Sequence, residues 1–319
     1  MKYITKKHIK LPKRNKSSHK GDNGLVLVVG GSKNFVGAVT LAGLAALRSG
    51  ADLVKIIAPE KVAWAINAYS PDLITKKFPS EIFLPKHLHI IKKEMKKFDV
   101  LLIGNGIGLN KETKKFCKKT IKNIKKFKVI DADAIKSISM NDAENSVITP
   151  HSKELEIFLL NSKINNKIIK KISSDMRVSW DMRKLAFARL ATRTRSQAGR
   201  NFFSKSKLIK KTTQKFLNKN NIILLKGRID VIISKDKIFY NKTGNAGMTK
   251  GGTGDILAGL CAGFLAQSKD LIQSAINAAY FNGLIGDILL KKKKGFTYLA
   301  SDMADEIKKL RFLLKNKKL

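Results

Sequence analysis

Residues 243–255 read TGNAGMTKGGTGD and run directly into the apolar stretch Ile256-Leu-Ala-Gly-Leu. Gly251, Gly252 and Gly254 let the backbone come close to a ligand, because a residue without Cβ raises no steric wall. The first turn of a helix carries N–H groups with no partner inside the helix, and these favour an anion. A loop of this composition at a helix start is shaped to hold a phosphoryl group. Asp255 stands at the same helix start. There the helix dipole is expected to keep its carboxylate ionised, ready to accept the proton of an attacking hydroxyl. The same Asp also suits a plain helix cap, and the spacing alone leaves both readings open.

Other nucleotide signatures fail. No Gly-Lys-Ser/Thr follows a suitable glycine, so there is no Walker A loop. Gly104-Asn-Gly-Ile-Gly108 lacks the spacing of a dinucleotide-binding GxGxxG. His87 and His89 fall on one face of an extended segment, but no third ligand is near them in sequence, which argues against a metal. Asp131 and Asp133 follow an apolar run. They suit either the site or the caps of a strand end and helix start. His151 alone in a loop is as easily structural as functional.

These residues must be positioned by something. Leu25–Val29 is an apolar run ending in Gly30-Gly31, and a helix rich in Ala and Leu follows over 37–48, with Gly50 at its stop. Further buried strands are expected at 53–58, 99–103, 128–130 and 147–149, with helical segments between them. Glycine-rich strand ends in a β–α alternation predict an open, mainly parallel sheet with helices on both faces. Ligands of such sheets bind beyond the carboxyl ends of the strands. Residues 222–225, 230–233 and 237–240 are three short strands in close succession, hence antiparallel neighbours. Three helices, starting near Thr253, Asp270 and Ala300, close the chain. Residues 1–23 form a polar, basic arm before a single domain over 24–319.

One stretch departs from its surroundings. Arg177, Arg183, Arg189, Arg193, Arg195 and Arg200 are six of the ten arginines, in a chain whose other basic residues are mostly Lys. We read an Arg-rich insertion over about 162–207, with an amphipathic basic helix near 180–192.

Composition sets the class. With 319 residues and 43% apolar content, one large α/β domain can bury a sizeable core. No apolar run reaches the roughly 20 residues of a membrane span, and the run 256–266 reads as a buried helix. The basic start has no apolar signal region, and two cysteines build no disulfide framework, so the cytoplasm is the expected compartment. The net charge of +40 suggests an anionic partner, but the lysines spread over the whole chain. Nucleic acid is therefore expected to bind only non-specifically.

Several segments, taken in order, resemble the NAD(P)HX dehydratase domain of the YjeF-type proteins, a branch of the ribokinase-like superfamily. Residues 31–38 resemble the family's GGSxxxxGA loop, and the helix from Ala42 follows as expected. Residues 104–108 stand for GPGLG, residues 129–135 match the DADA segment, and residues 149–155 are similar to TPHPGE. Residues 224–227 match LLKG, and residues 243–255 match TGNPGM…GGTGD almost letter for letter. The resemblance covers roughly 25–310 apart from the Arg-rich stretch. Asn105 and Ala246 stand where the family has Pro, and Ser152-Lys153 replace Pro-Gly. These exchanges are expected to be mild loop changes.

The resemblance implies the ribokinase-like fold and the dehydration of (6S)-NADHX and (6S)-NADPHX to NADH and NADPH, driven by ADP or ATP; a lone dehydratase domain with no clear targeting segment favours ADP. Hydroxide leaves poorly and phosphate well, so a kinase-like site makes chemical sense. By the match, Asp255 takes the hydroxyl proton, and Ala38, Gly106, His151 and Asp255 line the NAD(P)HX pocket. Lys226, Gly227, Arg228, Ile229, Asp230, Gly252, Thr253 and Gly254 hold the adenine nucleotide, and Mg²⁺ bridges its phosphates, with no protein ligand assigned. A separate NAD(P)HX epimerase is the expected pathway partner, and a homo-oligomer is implied, since relatives form tetramers. Two rivals stand beside this reading. One is a vitamin-precursor kinase of the same fold, which shares the loop and Asp255 but leaves the GGSxxxxGA and TPH segments unexplained. The other is a nucleic-acid-binding protein on this scaffold, which the charge favours and the intact Gly251–Asp255 loop opposes.

Overall fold

The computed structural model describes residues 2–173 and 192–309. Among them, nine strands form one sheet: β1 (Leu25–Val29), β2 (Leu53–Pro59), β3 (Ile74–Phe78), β4 (Val100–Ile103), β5 (Phe127–Ile130), β6 (Ser146–Ile148), β7 (Asn221–Leu225), β8 (Asp230–Ile233) and β9 (Ile238–Asn241). Their order is β3-β2-β1-β4-β5-β6-β7-β8-β9. Every pair from β3 to β7 is parallel, and β8 and β9 add antiparallel strands at the far edge. This is the mainly parallel ribokinase-like layout expected from the sequence.

Alternation along the strands builds two cores. In β1, Val26 and Val28 face one core, while Leu27 and Val29 face the other. The first core is covered by α1 (Val36–Arg48), α2 (Glu60–Tyr69), α10 (Thr253–Ser268), α11 (Leu271–Lys292) and α12 (Ala300–Glu306). The second is covered by α3 (Leu88–Met95), α4 (Lys111–Asn123), the single turn α5 (Ala132–Ile135), α6 (Ser152–Asn161), α7 (Asn166–Ser173), α8 (Thr192–Thr212) and α9 (Gln214–Leu217). Residues 256–266 are buried throughout, so α10 is the central helix of its layer, as the apolar run predicted. Gly259 lets α1 approach it closely, for a Cβ there would lie 2.2 Å from the Ala42 carbonyl oxygen. Each fully buried aliphatic side chain in this contact contributes roughly 1.5–3 kcal/mol.

Strand 74–78 was not foreseen. It reads ITKKF, and only Phe78 is buried, so an edge strand with a solvated face carries no apolar run to mark it. The N-terminal arm does more than lead into the fold. Tyr3 bridges to Tyr240 beside β9, Ile4 is buried, and the Ile4 N–H donates to the Tyr240 carbonyl at 2.8 Å. Of the Arg-rich stretch, residues 174–191 lie outside the described residues, which includes nearly all of the basic helix expected near 180–192. Arg193, Arg195 and Arg200 fall on α8. No helix among the described residues is long and apolar enough to cross a membrane.

Candidate active site

The ends of four neighbouring strands, β4 to β7, meet at one carboxylate. Asp131 follows β5 and is 2% exposed. Thr149, after β6, donates its hydroxyl to Asp131 Oδ1 at 2.6 Å. Lys226, after β7, donates from Nζ to the same oxygen at 2.9 Å. Asn105, after β4, donates from Nδ2 to Asp131 Oδ2 at 2.9 Å. A parallel sheet makes this convergence possible, because consecutive strands deliver their carboxyl ends to one edge. Gly104 permits the β4 and β5 ends to close up. Its φ is +124°, and a Cβ there would sit 1.9 Å from the Asp131 carbonyl oxygen.

Asp255 reaches the same cluster from α10. It is the third residue of that helix, whose N-cap is Gly252 with φ +95°. The capping alternative is thereby removed, since the Asp255 carboxylate engages no helix N–H among the described residues. Its Oδ1 instead accepts from Asn105 Nδ2 at 2.7 Å. Burial works against the ionised form that the helix dipole favours. Burial first, and then the negative charge of Asp131, push the Asp255 carboxyl up to about 7, against the pull of the Asn105 amide and Lys226. Desolvation is the largest cause because the carboxylate has lost most of its water. A base whose pKa lies near the working pH is well matched to proton abstraction.

Lys226 ties the cluster together. Its Nζ also lies 3.7 Å from Glu154 of α6, and 3.4 Å from the point where a Gly254 Cβ would stand. Burial alone would lower its pKa, but Asp131 and Glu154 more than offset this and raise it. Lys226 therefore stays a cation and joins the β7 end to the α10 start. The turn after it is held by Asp230, whose Oδ1 accepts from the Gly227 N–H at 3.1 Å and whose Oδ2 accepts from Asn241 Nδ2 at 3.1 Å. Burial pushes the Asp230 carboxyl up to about 6, against those hydrogen bonds and Lys226. Arg228 is exposed and Ile229 packs on the second core.

His151 caps α6. Its Nδ1 accepts from the Lys153 N–H at 3.1 Å and the Glu154 N–H at 3.4 Å, while the His151 backbone N–H donates to Glu154 Oε2 at 3.0 Å. Burial first, and nearby Lys226 and Lys136, lower its pKa against Glu154, so the ring stays neutral at pH 7. It is half-exposed and adjoins the cluster through Lys226, whose N–H donates to the Pro150 carbonyl at 2.8 Å. Ala38 and Gly106 lie side by side, with Ala38 Cβ 3.1 Å from where a Gly106 Cβ would stand. They are joined to the glycine-loop side through α1, for Leu41 adjoins Gly252. The structure thus brings together the ends of all the predicted segments.

The glycine loop is braced from behind. Asp287 of α11 accepts from the Gly244 N–H at 2.9 Å and from Asn245 Nδ2 at 3.1 Å, and Tyr298 donates its hydroxyl to Asn245 Oδ1 at 2.7 Å. Lys250 donates to the carbonyls of Phe296 and Tyr298. Thr253 Oγ1 donates to the Met248 carbonyl at 2.7 Å. Sequence reasoning missed Asp287 and Tyr298, which sit in no motif. It also took Asn105 for a mild exchange, whereas Asn105 links the two central carboxylates. Of the two aspartates left open, Asp131 belongs to the cluster. Asp133 instead holds the loop after β4, accepting from the Gly108 N–H at 3.1 Å and from Lys136 at 2.9 Å. His87 is buried edge-on against Phe78 and accepts from the Leu84 N–H, while His89 faces solvent. No three His, Cys, Asp or Glu side chains among the described residues are grouped to hold a metal. Asp131 Oδ1 already accepts from Thr149 and Lys226, and its Oδ2 from Asn105.

A family model described as NAD(P)H-hydrate dehydratase matches residues 26–179 and 184–309. The chain belongs to the NAD(P)H-hydrate dehydratase family. Within the Arg-rich stretch, only residues 180–183 fall outside the match to this family. The bifunctional NAD(P)H-hydrate repair enzyme Nnr of Methanocaldococcus jannaschii is 36% identical over 300 residues, covering 93% of this chain and 50% of that protein. The chain thus spans about half the length of the bifunctional relatives it matches. The ADP-dependent (S)-NAD(P)H-hydrate dehydratase of Nitrosopumilus maritimus is 30% identical over 303 residues, covering 93% of this chain and 91% of that one. The crystal structure of the ADP/ATP-dependent NAD(P)H-hydrate dehydratase of Bacillus subtilis, obtained with ATP and Mg²⁺, superposes with a TM-score of 0.69 at 22% identity, covering 98% of each chain. At that identity it shows the shared fold.

Proposed function

We propose that this protein dehydrates (6S)-NADHX and (6S)-NADPHX to NADH and NADPH, with ADP as the phosphoryl donor. The observation that carries the reading is the Asp255 carboxyl. It stands at the start of α10, with a proton affinity close to neutrality, beside a cationic Lys226 and a braced glycine loop. Asp255 takes the proton of the substrate hydroxyl as its oxygen bonds to the β-phosphorus of ADP and the bond to AMP breaks. The N–H groups of Gly252, Thr253 and Gly254 stabilise the charge that develops on the phosphoryl oxygens. Phosphate then leaves with the C–O bonding pair, and loss of a proton from the neighbouring ring carbon restores the double bond. Ala38, Gly106 and His151 are proposed to line the nicotinamide-hydrate side, and Lys226 to Asp230 the nucleotide side.

Mg²⁺ is proposed to arrive with the nucleotide phosphates, since the described residues offer no three-ligand cluster for a resident ion. The name of the Nitrosopumilus relative supports ADP, and that of the Bacillus relative leaves room for ATP. An NAD(P)HX epimerase is proposed as the partner activity, a homo-oligomer as the assembly, and the cytoplasm as the compartment. The two cysteines, free and buried, suit a reducing milieu. The test is recovery of reduced-nicotinamide absorbance when purified protein meets NADHX, Mg²⁺ and either ADP or ATP. Recovery with ADP is expected. A folded protein that restores no absorbance with either nucleotide would remove the assignment.

A further inference from the structure

Asn105 stands between two carboxylates that lie far apart in the chain. It is 0% exposed. Its Nδ2 donates to Asp131 Oδ2 at 2.9 Å and to Asp255 Oδ1 at 2.7 Å. Both N–H bonds of the amide are thereby used. Its Oδ1, also buried, has no hydrogen-bond partner among the described residues. A buried oxygen left unpaired is unfavourable, so the side chain is held by its two donors and not by its acceptor. Two carboxylates this close would repel each other or share a proton unless a donor stood between them.

The charged groups that face Asp255 are Asp131 after β5, Lys226 after β7 and Glu154 on α6. The Lys226 ammonium bonds Asp131 and faces Glu154. Asn105 is therefore the hydrogen-bond donor that reaches the Asp255 carboxylate among the described residues. It occupies Oδ1, which leaves Oδ2 as the oxygen available to a hydroxyl proton.

We propose that Asn105 is a positioning residue of the reaction: its amide fixes Asp255 Oδ1 against Asp131, favours the ionised form of Asp255 beside a second carboxylate, and presents Oδ2 to the substrate hydroxyl. This rests on Asp255 acting as the base. Burial and Asp131 already raise the Asp255 carboxyl to about 7, so losing the amide donor raises it further.

The experiment is the pH dependence of kcat for the wild type, Asn105→Ala and Asn105→Asp, with KM for the nucleotide followed in parallel. The wild-type rate falls as pH drops through about 7. In Asn105→Ala this limb moves up by about one unit, so kcat at about pH 6.5 drops roughly eightfold and recovers at alkaline pH. KM for the nucleotide stays within about twofold. Asn105→Asp keeps the shape and adds a charge, so its limb moves further. A limb that stays in place in both variants overturns the proposal. So does a kcat lowered by the same factor at every pH, which is what a packing role alone would give. If Asn105→Ala does not fold, Asn105→Asp decides by the same criterion. A carboxyl-carbon NMR titration of Asp255 in wild type and variant reads the same shift without turnover. If the wild type dehydrates nothing, the proposed function falls, and the titration still decides the role of Asn105.

Discussion

The two ends of β5 bury opposite charges three residues apart. At its start, Lys128 is 0% exposed, and its Nζ donates to the carbonyls of Ile124 at 2.7 Å and Lys126 at 3.0 Å. At its end, Asp131 is bonded by Thr149, Lys226 and Asn105. Burial lowers the Lys128 ammonium to about 8, with Glu144 opposing. At the other end it raises Asp255 to about 7, with Asp131 adding to the effect. The desolvation is alike, but the surroundings differ. Among the described residues, Lys128 Nζ donates to backbone carbonyls alone and closes the loop after α4, so it is a satisfied structural cation. Asp131 gathers side chains from three other strand ends and adjoins a second carboxylate whose proton is loosely committed. Burial of charge by itself does not mark a site. A charge buried with convergent, titrating partners at the carboxyl ends of the strands does.

Substitutions at the two ends should separate them sharply. Asp255→Asn is expected to lower kcat by roughly 10³-fold or more, measured by absorbance recovery with ADP. It should also stabilise the protein. A carboxyl whose folded pKa is raised costs stability above that pKa, and the cost vanishes as pH falls below the unfolded value. The gain should be roughly 1–3 kcal/mol at about pH 8 and near zero at about pH 4, read from chemical denaturation at the two pH values. A variant less stable than wild type at the higher pH would contradict the burial argument.

Lys226→Met leaves Asp131 and Glu154 without their cation and should cost about 3 kcal/mol in chemical denaturation, with weakened nucleotide binding by calorimetry. Thr149→Val removes a hydrogen bond to an ionised group and should cost about 1.5–2 kcal/mol in the same experiment. Lys128→Met at the opposite end should change stability at neutral pH by no more than about 1 kcal/mol, because relief of a buried charge offsets two lost hydrogen bonds. The sign is again checkable. A lysine with a lowered folded pKa costs stability below about 8 and not above the unfolded value, so the variant should compare best with wild type at acid pH. Its kcat should match the wild type. A large loss of activity in Lys128→Met would break the distinction between the two ends.

Much of this was legible in the residues. The Thr243–Asp255 loop announced a helix start with exposed N–H groups, and the structure places Gly252 as its N-cap. The apolar runs of β1, β2, β4 and β7 marked themselves, because a strand buried on both faces has few polar residues. The strand ITKKF at the edge did not, since its solvated face carries lysines.

Composition and local order thus determined the fold class, the glycine loop and the aspartate at the head of α10. Each is a property of a few adjacent residues: turn chemistry, apolar alternation, helix-end N–H groups. Only the tertiary structure decided which side chains share the site and what charge they carry. Asn105 touches partners 26 and 150 residues away, and Lys226 reaches Asp131 across 95. A pKa depends on water excluded and charges brought near, and both are set when distant strand ends converge. That is why the dipole argument, sound for an exposed helix end, did not foresee the burial that raises the proton affinity of Asp255.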